Sequence, residues 1–404
     1  MDDFSYIAIA RQAQQHLQEL PAIPDISSFI LKNPMKWPMP WLRILADQWH
    51  FQKKATQKLG PWWEKYPNLI GPPKLSWEQA SSYQTALWKT QLIEPQSTVV
   101  DMTGGWGMDA LFFSLAGAHV THCEVQTDLS DIVTENARLV NTPLKTFRGS
   151  GFDYLMQSTA PIDLIYLDPA RRDANQKKVV RLSDLTPDLT PHWPTLWTKT
   201  SRILIKLSPM MDLNELAAQI PGLARVILLS VRNELKEILA EAHVNFTGKI
   251  RWEAIEIPAD EKPISFHFEP EKENPAVTSY AEPRLYLYEP FVGILKLGAF
   301  HQIAADWNME KLHPNSHLYT SDNFHSDFPG RVFRVIDSFK AKPDDVQKQL
   351  GKPIPTNVLV RNFGENGEAL AQKWQIKPVD TTQFLIFTQT ISHKKRVLYA
   401  HRLK

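Results

Sequence analysis

From residue 97 to about residue 270 the chain repeats one pattern, a short apolar run followed by a segment with helical spacing. "TVVDM" leads into "GMDALFFSLAGA", "HVTHCEV" into "DLSDIVTENARLVN", and "SRILIKLSP" into "MDLNELAAQI". "LKTFRGS" and "IDLIYLD" read as further strands, and "ARVILLSV", "IRWEAIEI" and "ISFHFEP" continue the series. Strands that alternate with helices bury both faces only in a mostly parallel sheet covered by helices on each side. The pattern therefore predicts an α/β, Rossmann-like domain. It also says where chemistry belongs, because such sheets bind ligands beyond the carboxyl ends of their strands.

The flanks read differently. Residues 1–92 are expected to form a helical N-terminal domain. "DFSYIAIARQAQQHLQEL" has helical spacing and stops at Pro21, and "WLRILADQWHFQKKATQKLG" stops at Gly60. "LSWEQASSYQTALWKTQLI" is predicted as one helix, with Ser76 as N-cap and Gln79 at the third helical position. The α/β domain is assigned to 93–270. "EPEKENPAVTSYAEPR" reads as a linker, and "YLYEPFVGILKLGAFHQIAADWN" as strand then helix, giving a segment at 280–328. Residues 329–404 are predicted as a small α+β module, rich in strands with one helix, "NGEALAQKWQ".

Composition narrows the chemistry. The single cysteine, Cys123, excludes a disulfide framework and a Cys-rich zinc site. It sits inside a predicted strand and reads as a small core residue. His313 and His317 are four apart, but Pro314 disfavours a helix there and no third ligand is evident, so no metal is expected. The chain begins without a basic stretch followed by an apolar core, and no apolar run reaches the ~18 residues of a membrane span. A cytoplasmic location fits. Net charge is +1, yet Arg331–Lys404 holds 14 Lys+Arg against 6 Asp+Glu, an excess of +8. A basic terminal module on a mildly acidic body points to an anionic partner or a solvated surface.

Four strand ends carry the polar chemistry. In "VVDMTGGWGMDA" a buried strand ends at Asp101, followed by Thr103, Gly104, Gly105 and Gly107 and then a helix. Glycines allow positive φ and close backbone approach to a ligand, and the following helix start favours negative charge. The dinucleotide pattern G-x-G-x-x-G is not met, and an acid before the turn suits a cofactor with an amino-acid moiety. Glu124, with Val125 after it, lies about 20 residues on, where such sheets place an acid on ribose hydroxyls. "RGSGFDYL" brings Gly151 and Phe152 to a third strand end, as the flank of an adenine ring or as an ordinary loop. "IDLIYLDPARRD" ends a fourth strand at Asp168 and Pro169, with Arg171 and Arg172 suited to bidentate phosphate contact.

Together these motifs resemble class I S-adenosylmethionine-dependent methyltransferases. "VVDMTGGWG" is similar to their first motif, Glu124 to their ribose acid, "GSGFDYL" to their adenine-flanking loop and "YLDPAR" to their fourth motif. More narrowly, "EQASSYQTALWK", "DMTGGWGMD", "YLDPARR", "LIKLSPMMD", "KLGAF", "KLHPNSHLYTSD" and "VRNF" resemble a bacterial methyltransferase family with a ferredoxin-like segment and a C-terminal THUMP-like domain. The resemblance implies a seven-stranded sheet with its last strand inserted antiparallel, S-adenosylmethionine as cofactor, and an RNA substrate, rRNA or tRNA. Thr103 stands where that family's first glycine would be. Ser150 stands where an acid commonly contacts the adenine amino group, and Ala170-Arg171 replace the residues that often stack on a target base.

On this reading Asp168, Pro169 and Arg171 are the catalytic candidates, with Asp168 accepting a hydrogen bond from a base amino group. A nucleobase nitrogen is the expected acceptor, since carbon methylation usually needs a cysteine nucleophile. Gln79, Ser82 and Thr85 supply polar groups near the methionine end of the cofactor, or else cap and pack a helix. Lys206 contacts substrate phosphate or pairs with Asp168. Arg361, Lys394, Lys395 and Arg396, with Arg172, are candidates for RNA phosphate. Two other readings stay open: a non-catalytic RNA-binding protein that keeps the fold, and a methyltransferase for small molecules or proteins.

Overall fold

The computed structural model describes all residues except 1–4, 20–22, 24, 172–180, 260, 274–277 and 393, and leaves out the side chain of Arg171. The chain forms two compact units, one of residues 1–226 and 236–250, the other of residues 227–235 and 251–404.

The first unit opens with helices α1 (Tyr6–Glu19), α2 (Ile26–Lys32), α3 (Met39–Leu59), α4 (Pro61–Lys65), α5 (Lys74–Gln79) and α6 (Tyr83–Lys89). The α/β region follows as β1 (Thr98–Asp101), α7 (Met108–Leu115), β2 (His119–Glu124), α8 (Thr127–Leu139), β3 (Lys145–Arg148), α9 (Gly151–Gln157) and β4 (Leu164–Leu167). After the short pair β5 (Ala170–Arg171) and β6 (Leu185–Thr186) come α10 (Trp193–Trp197), β7 (Arg202–Leu207), α11 (Leu213–Gln219), β8 (Leu223–Val231) and β9 (Glu234–His243). Seven strands of a nine-stranded sheet lie in the order β8-β9-β7-β4-β1-β2-β3. β1 is parallel to β2 and β4, β2 to β3, and β4 to β7, while β9 runs antiparallel to β7. This is the seven-stranded order, with one strand inserted antiparallel, that the motifs imply.

The N-terminal helices share one apolar core with the sheet's covering helices. Phe51, Trp77, Leu45 and Ala55 from the helical segment pack in the same cluster as Trp106, Leu111, Phe112, Leu129 and Ile132. Aromatic rings meet edge to face there: Phe51 lies 4.9 Å from Trp77 and 5.5 Å from Trp106 between ring centroids.

Two local expectations change. The helix predicted over 75–93 is broken between α5 and α6. Pro73, not Ser76, precedes its first turn, and Ser82 starts the second piece by accepting the Thr85 N–H. β9 is the strand the sequence pattern hides, because "ELKEILAEAH" is built from good helix formers. Its central residues 237–242 are all buried, which a strand inside a sheet requires and an amphipathic surface helix does not.

The second unit holds β10 (Arg251–Ile257), β11 (Ile264–Phe268), α12 (Pro270–Glu273), β12 (Tyr286–Pro290), α13 (Val292–Leu297), α14 (Gln302–Asp306), β13 (Glu310–Lys311), β14 (Tyr319–Ser321) and β15 (Gly330–Lys340). It ends with α15 (Pro343–Leu350), β16 (Ile354–Pro355), β17 (Asn357–Val360), α16 (Gly367–Lys373), β18 (Ile376–Lys377), β19 (Gln383–Gln389) and β20 (Lys395–Arg402). The C-terminal module thus has two helices, α15 and α16, where one was expected. Seven strands form one sheet in the order β13-β14-β12-β15-β20-β19-β17. On β12, the buried Glu289 accepts from Arg331 Nε at 2.6 Å, directly opposite on β15, and pairs with Arg361, which follows β17, at 2.5 Å.

Phe51→Ala empties the centre of the aromatic cluster. Urea unfolding of the whole chain should show the first unit's transition lowered by about 3–5 kcal/mol.

Candidate functional site

The glycine turn after β1 is fixed from three sides. The Gly104 N–H donates to the Cys123 carbonyl at 3.0 Å, which holds the turn against β2. A Cβ on Gly104 would stand 2.6 Å from that oxygen and from the His122 ring; one on Gly107, whose φ is +72°, would stand 2.9 Å from Val133. Trp106 turns away from the strand ends and donates its indole N–H to the Ile70 carbonyl at 3.0 Å. Gly105 is different. Its φ is +60°, and a Cβ there meets nothing within 4 Å. The turn therefore presents bare backbone to open space at that residue.

Glu124 is buried at the end of β2 and is oriented by backbone amides: Gly105 N–H donates to one carboxylate oxygen and Gln126 N–H to the other, both at 2.7 Å. Each oxygen keeps a lone pair free. At the end of β3, Gly149 N–H donates to the Glu124 carbonyl, and Gly151 packs so closely on Met102 that a Cβ would lie 2.5 Å away. Ser150 caps α9, accepting the Asp153 N–H at 3.1 Å and donating its hydroxyl to the Asp153 carboxylate at 2.7 Å. The Phe152 ring lies 4.3 Å from that of His192.

At the end of β4, the Thr103 hydroxyl accepts the Asp168 N–H at 2.5 Å. Thr103 thus ties the glycine turn to the fourth strand end. The Asp168 carboxylate pairs with Lys206 Nζ on β7 at 2.5 Å. Lys206 also donates to Ser81 Oγ at 3.0 Å and stands 3.7 Å from Asp109. Asp109, on α7, is buried: one of its oxygens takes Lys89 Nζ at 2.9 Å, and the other takes the hydroxyls of Ser81 at 2.8 Å and Tyr166 at 2.7 Å. Lys89, with no exposed surface, reaches Glu237 on β9 at 2.7 Å.

Burial opposes every charge in this cluster, so the pairing decides who stays ionised. Burial works against the Asp109 carboxylate too, but Lys89 and Lys206 outweigh it and hold its pKa down at about 2. Lys206 is held well above the ordinary ammonium range against its own burial by Asp168, Asp109 and Glu237. Asp101 is buried with one hydrogen bond, from the Thr103 N–H at 3.2 Å. Burial, reinforced by the Asp109 and Asp168 carboxylates, pushes its pKa up to about 8.

The strand-end groups line one cavity of about 470 Å³ at the carboxyl ends of β1, β2, β3 and β4, within the range of small-molecule sites, with Lys89 and Glu237 outside its lining. Of the residues expected at a cofactor, Gln79, Asp101, Thr103, Gly104, Gly105, Gly107, Glu124, Val125, Gly151 and Phe152 line it. Ser82 and Thr85 do not: Ser82 caps α6, and the Thr85 hydroxyl bonds back to the Ser82 carbonyl at 3.2 Å. Asp168 and Lys206 line the cavity, and the Lys206 ammonium is taken by Asp168 rather than left for phosphate. Pro169 is buried behind the wall. For Arg171 only the backbone is described, paired with Leu185, and Arg172 lies outside the described residues. The sequence reading missed Ser81, Asp109 and Tyr166, which line the cavity, and Lys89 and Glu237 behind them. Their one outward signal is the serine pair that interrupts a helix of good formers.

In the second unit, Lys394 and Lys395 are exposed, with Lys395 Nζ 4.7 Å above the Phe363 ring. Arg396 pairs in register with Lys340 across β15 and β20. Arg361, a candidate for phosphate contact, is paired with Glu289. Among the described residues, no group of three or more His, Cys, Asp or Glu side chains is placed to hold a metal, and no helix is long and apolar enough to cross a membrane.

Over its whole length the chain is similar to the crystal structure of a "putative methyltransferase" from Porphyromonas gingivalis W83, with 28% identity, 100% of both chains covered and a TM-score of 0.85. The fold is that of a class I methyltransferase. Residues 286–329 match a ferredoxin-like domain and residues 330–402 a THUMP domain-like family. A "putative methyltransferase" from Streptococcus mutans in complex with SAH matches over 40% of this chain and 95% of its own, at 15% identity and TM-score 0.29. A "putative RNA methyltransferase" from Pyrococcus horikoshii matches over 35% and 68%, at 19% identity and TM-score 0.26. No curated protein matches the sequence.

Thr103→Val keeps the shape but leaves the Asp168 N–H without its partner. It should lower stability by about 1–3 kcal/mol in thermal or urea unfolding, whereas Thr103→Ser should stay near wild type. A second outcome concerns pH. Because the folded state holds the Asp101 proton up to about pH 8 and the unfolded chain releases it near an ordinary carboxylate value, this group makes the protein less stable as pH rises between those limits. His122, whose pKa burial depresses to about 4, acts in the opposite direction between there and its usual value. The difference in unfolding free energy between Asp101→Asn and wild type should therefore move in favour of the variant from pH 5 to pH 8.

Proposed function

We propose that this protein is an S-adenosylmethionine-dependent methyltransferase whose acceptor is a nucleobase nitrogen in RNA, rRNA or tRNA. The observation that carries this reading is the convergence of Asp101, the bare Gly105 backbone, Glu124, Phe152 and Asp168 on one cavity at four adjacent strand ends. The residues fit the cofactor. Glu124, oriented by two amides with a lone pair free on each oxygen, suits ribose hydroxyls. Asp101, buried and with a single hydrogen bond, suits an ammonium, which would supply the countercharge it lacks. Gly151 and Phe152 would flank the adenine, with Val125 at its edge and Gln79 closing from α5. When bound, S-adenosylmethionine supplies a methyl group activated by a positive sulfur.

The chain's own contribution is to hold the acceptor in line. Asp168 is fixed at its amide by Thr103 and at its carboxylate by Lys206, and is partly exposed to the cavity. Fixed carboxylates of this kind accept hydrogen bonds from an amino group and orient its nitrogen, and such positioning supplies much of the acceleration in a displacement. Support for RNA comes from the basic C-terminal segment, its THUMP-like match, and the grouping of Lys340, Lys394, Lys395 and Arg396 at one end of β15 and β20. In this reading 1–92 is the helical N-terminal domain, 93–270 the methyltransferase domain, 280–328 the ferredoxin-like segment and 329–404 the RNA-binding THUMP-like domain. Arg171 and Arg172 are read as guides for the anionic substrate.

Isothermal titration with S-adenosylhomocysteine should give a dissociation constant of about 1–100 μM for wild type, weakened at least about tenfold by Asp101→Ala and by Glu124→Ala. Mass spectrometry of nucleosides from cells with and without the gene should show one methylated base missing. No binding by the wild type overturns the enzyme reading, and an unchanged nucleoside profile overturns the RNA reading.

A further inference from the structure

The cavity's polar wall rests on a residue that touches no ligand-accessible surface. Lys89 is fully buried on α6 and does not line the cavity. A buried ammonium is tolerated only when its donors are taken. Lys89 donates hydrogen bonds to Glu237 Oε1 at 2.7 Å and Ser81 Oγ at 3.1 Å, and forms an ion pair with Asp109 Oδ1 at 2.9 Å. Through Ser81 it meets the α5–α6 break, through Asp109 the helix after the glycine turn, and through Glu237 the antiparallel strand β9.

The second ammonium shows why this matters. Lys206 stands between two carboxylates, 2.5 Å from Asp168 and 3.7 Å from Asp109. The nearer contact wins because the Asp109 charge is already answered: Lys89 forms an ion pair with one oxygen, and Ser81 and Tyr166 donate to the other. With Lys89 neutralised, Asp109 and Glu237 would have a single buried cation within reach, and the attraction of Lys206 for Asp109 would compete with its hold on Asp168. In a low-dielectric site that competition is not screened by water.

We infer that Lys89 is a positioning residue for the reaction proposed above: by neutralising Asp109 and Glu237 it keeps Lys206 on Asp168 and so fixes the carboxylate that faces the acceptor. The inference deepens the methyltransferase reading and rests on it for the kinetic consequence, but the arrangement of the lysines is testable without activity. Lys89 acts at one remove and on the acceptor end alone, so adenosyl binding, which depends on Glu124 and the glycine turn, should be spared.

The experiment compares wild type with Lys89→Met, Lys89→Arg and Lys89→Met/Glu237→Leu. The double variant removes the orphaned acid together with its partner, and such paired apolar replacements are tolerated where a single one unfolds the chain. Crystal structures of the folded variants lacking Lys89 should show Lys206 Nζ within about 3 Å of Asp109 and withdrawn from Asp168. Titration with S-adenosylhomocysteine should stay within about threefold of wild type. Transfer of labelled methyl from S-adenosylmethionine to total RNA from cells lacking the gene should fall about tenfold or more in turnover at saturating RNA, with Lys89→Arg recovering part of it. A Lys206–Asp168 pair unchanged in both variants overturns the inference, and so does unchanged turnover alongside an active wild type. A wild type that neither binds the ligand nor transfers methyl overturns the proposed function instead, and the crystallographic comparison still decides the role of Lys89.

Discussion

A carboxylate without solvent governs the first unit. Asp109 sits in the first turn of the helix that follows the glycine-rich loop, with almost no exposed surface. An isolated charge in that position would cost several kcal/mol, so the surroundings have to answer it. They do so with elements far apart in the chain: a lysine and a serine from the N-terminal helices, a tyrosine from β4 and a second lysine from β7. The break between α5 and α6 follows from the same demand. A continuous helix would carry Ser81 round with its neighbours, whereas the break lets its hydroxyl meet Asp109 and both ammoniums.

The N-terminal helices are consequently part of the site rather than an addition to it. Trp106, within the glycine turn itself, is anchored to the Ile70 carbonyl and to the rings of Phe51 and Trp77. On the other side of the turn, Thr103 reaches the fourth strand end. A threonine where the motif resemblance leads one to expect glycine looks like a loss when only the motif is considered. In three dimensions it replaces conformational freedom with a hydrogen bond, and the neighbouring Gly104 takes over the close approach to β2.

Much of this was legible in the chain. The alternation of apolar runs and helical segments gave the sheet, and three acids at strand ends, Asp101, Glu124 and Asp168, marked the cavity. Each lies where a strand stops, a signal that depends only on local sequence. What escaped the sequence depends on partners distant in the chain. Lys89 reads as the polar end of a surface helix, and nothing nearby reveals that Glu237 lies 148 residues away to receive it. β9 was hidden for a related reason: Glu, Leu, Lys and Ala favour a helix, and only burial on both sides makes them a strand. Arg361 looked like a free cation because its carboxylate, Glu289, belongs to a different segment.

That last pairing bears on where one matched segment stops and the next starts. The ferredoxin-like match ends at residue 329 and the THUMP-like match begins at residue 330. Yet Pro290 of β12 stands opposite Gly330 of β15, and the register continues to Tyr286 and Arg334. Glu289 on one side closes on Arg331 and Arg361 on the other. The two segments therefore share one sheet: separating them at residue 330 would expose two sheet edges and strand a buried acid.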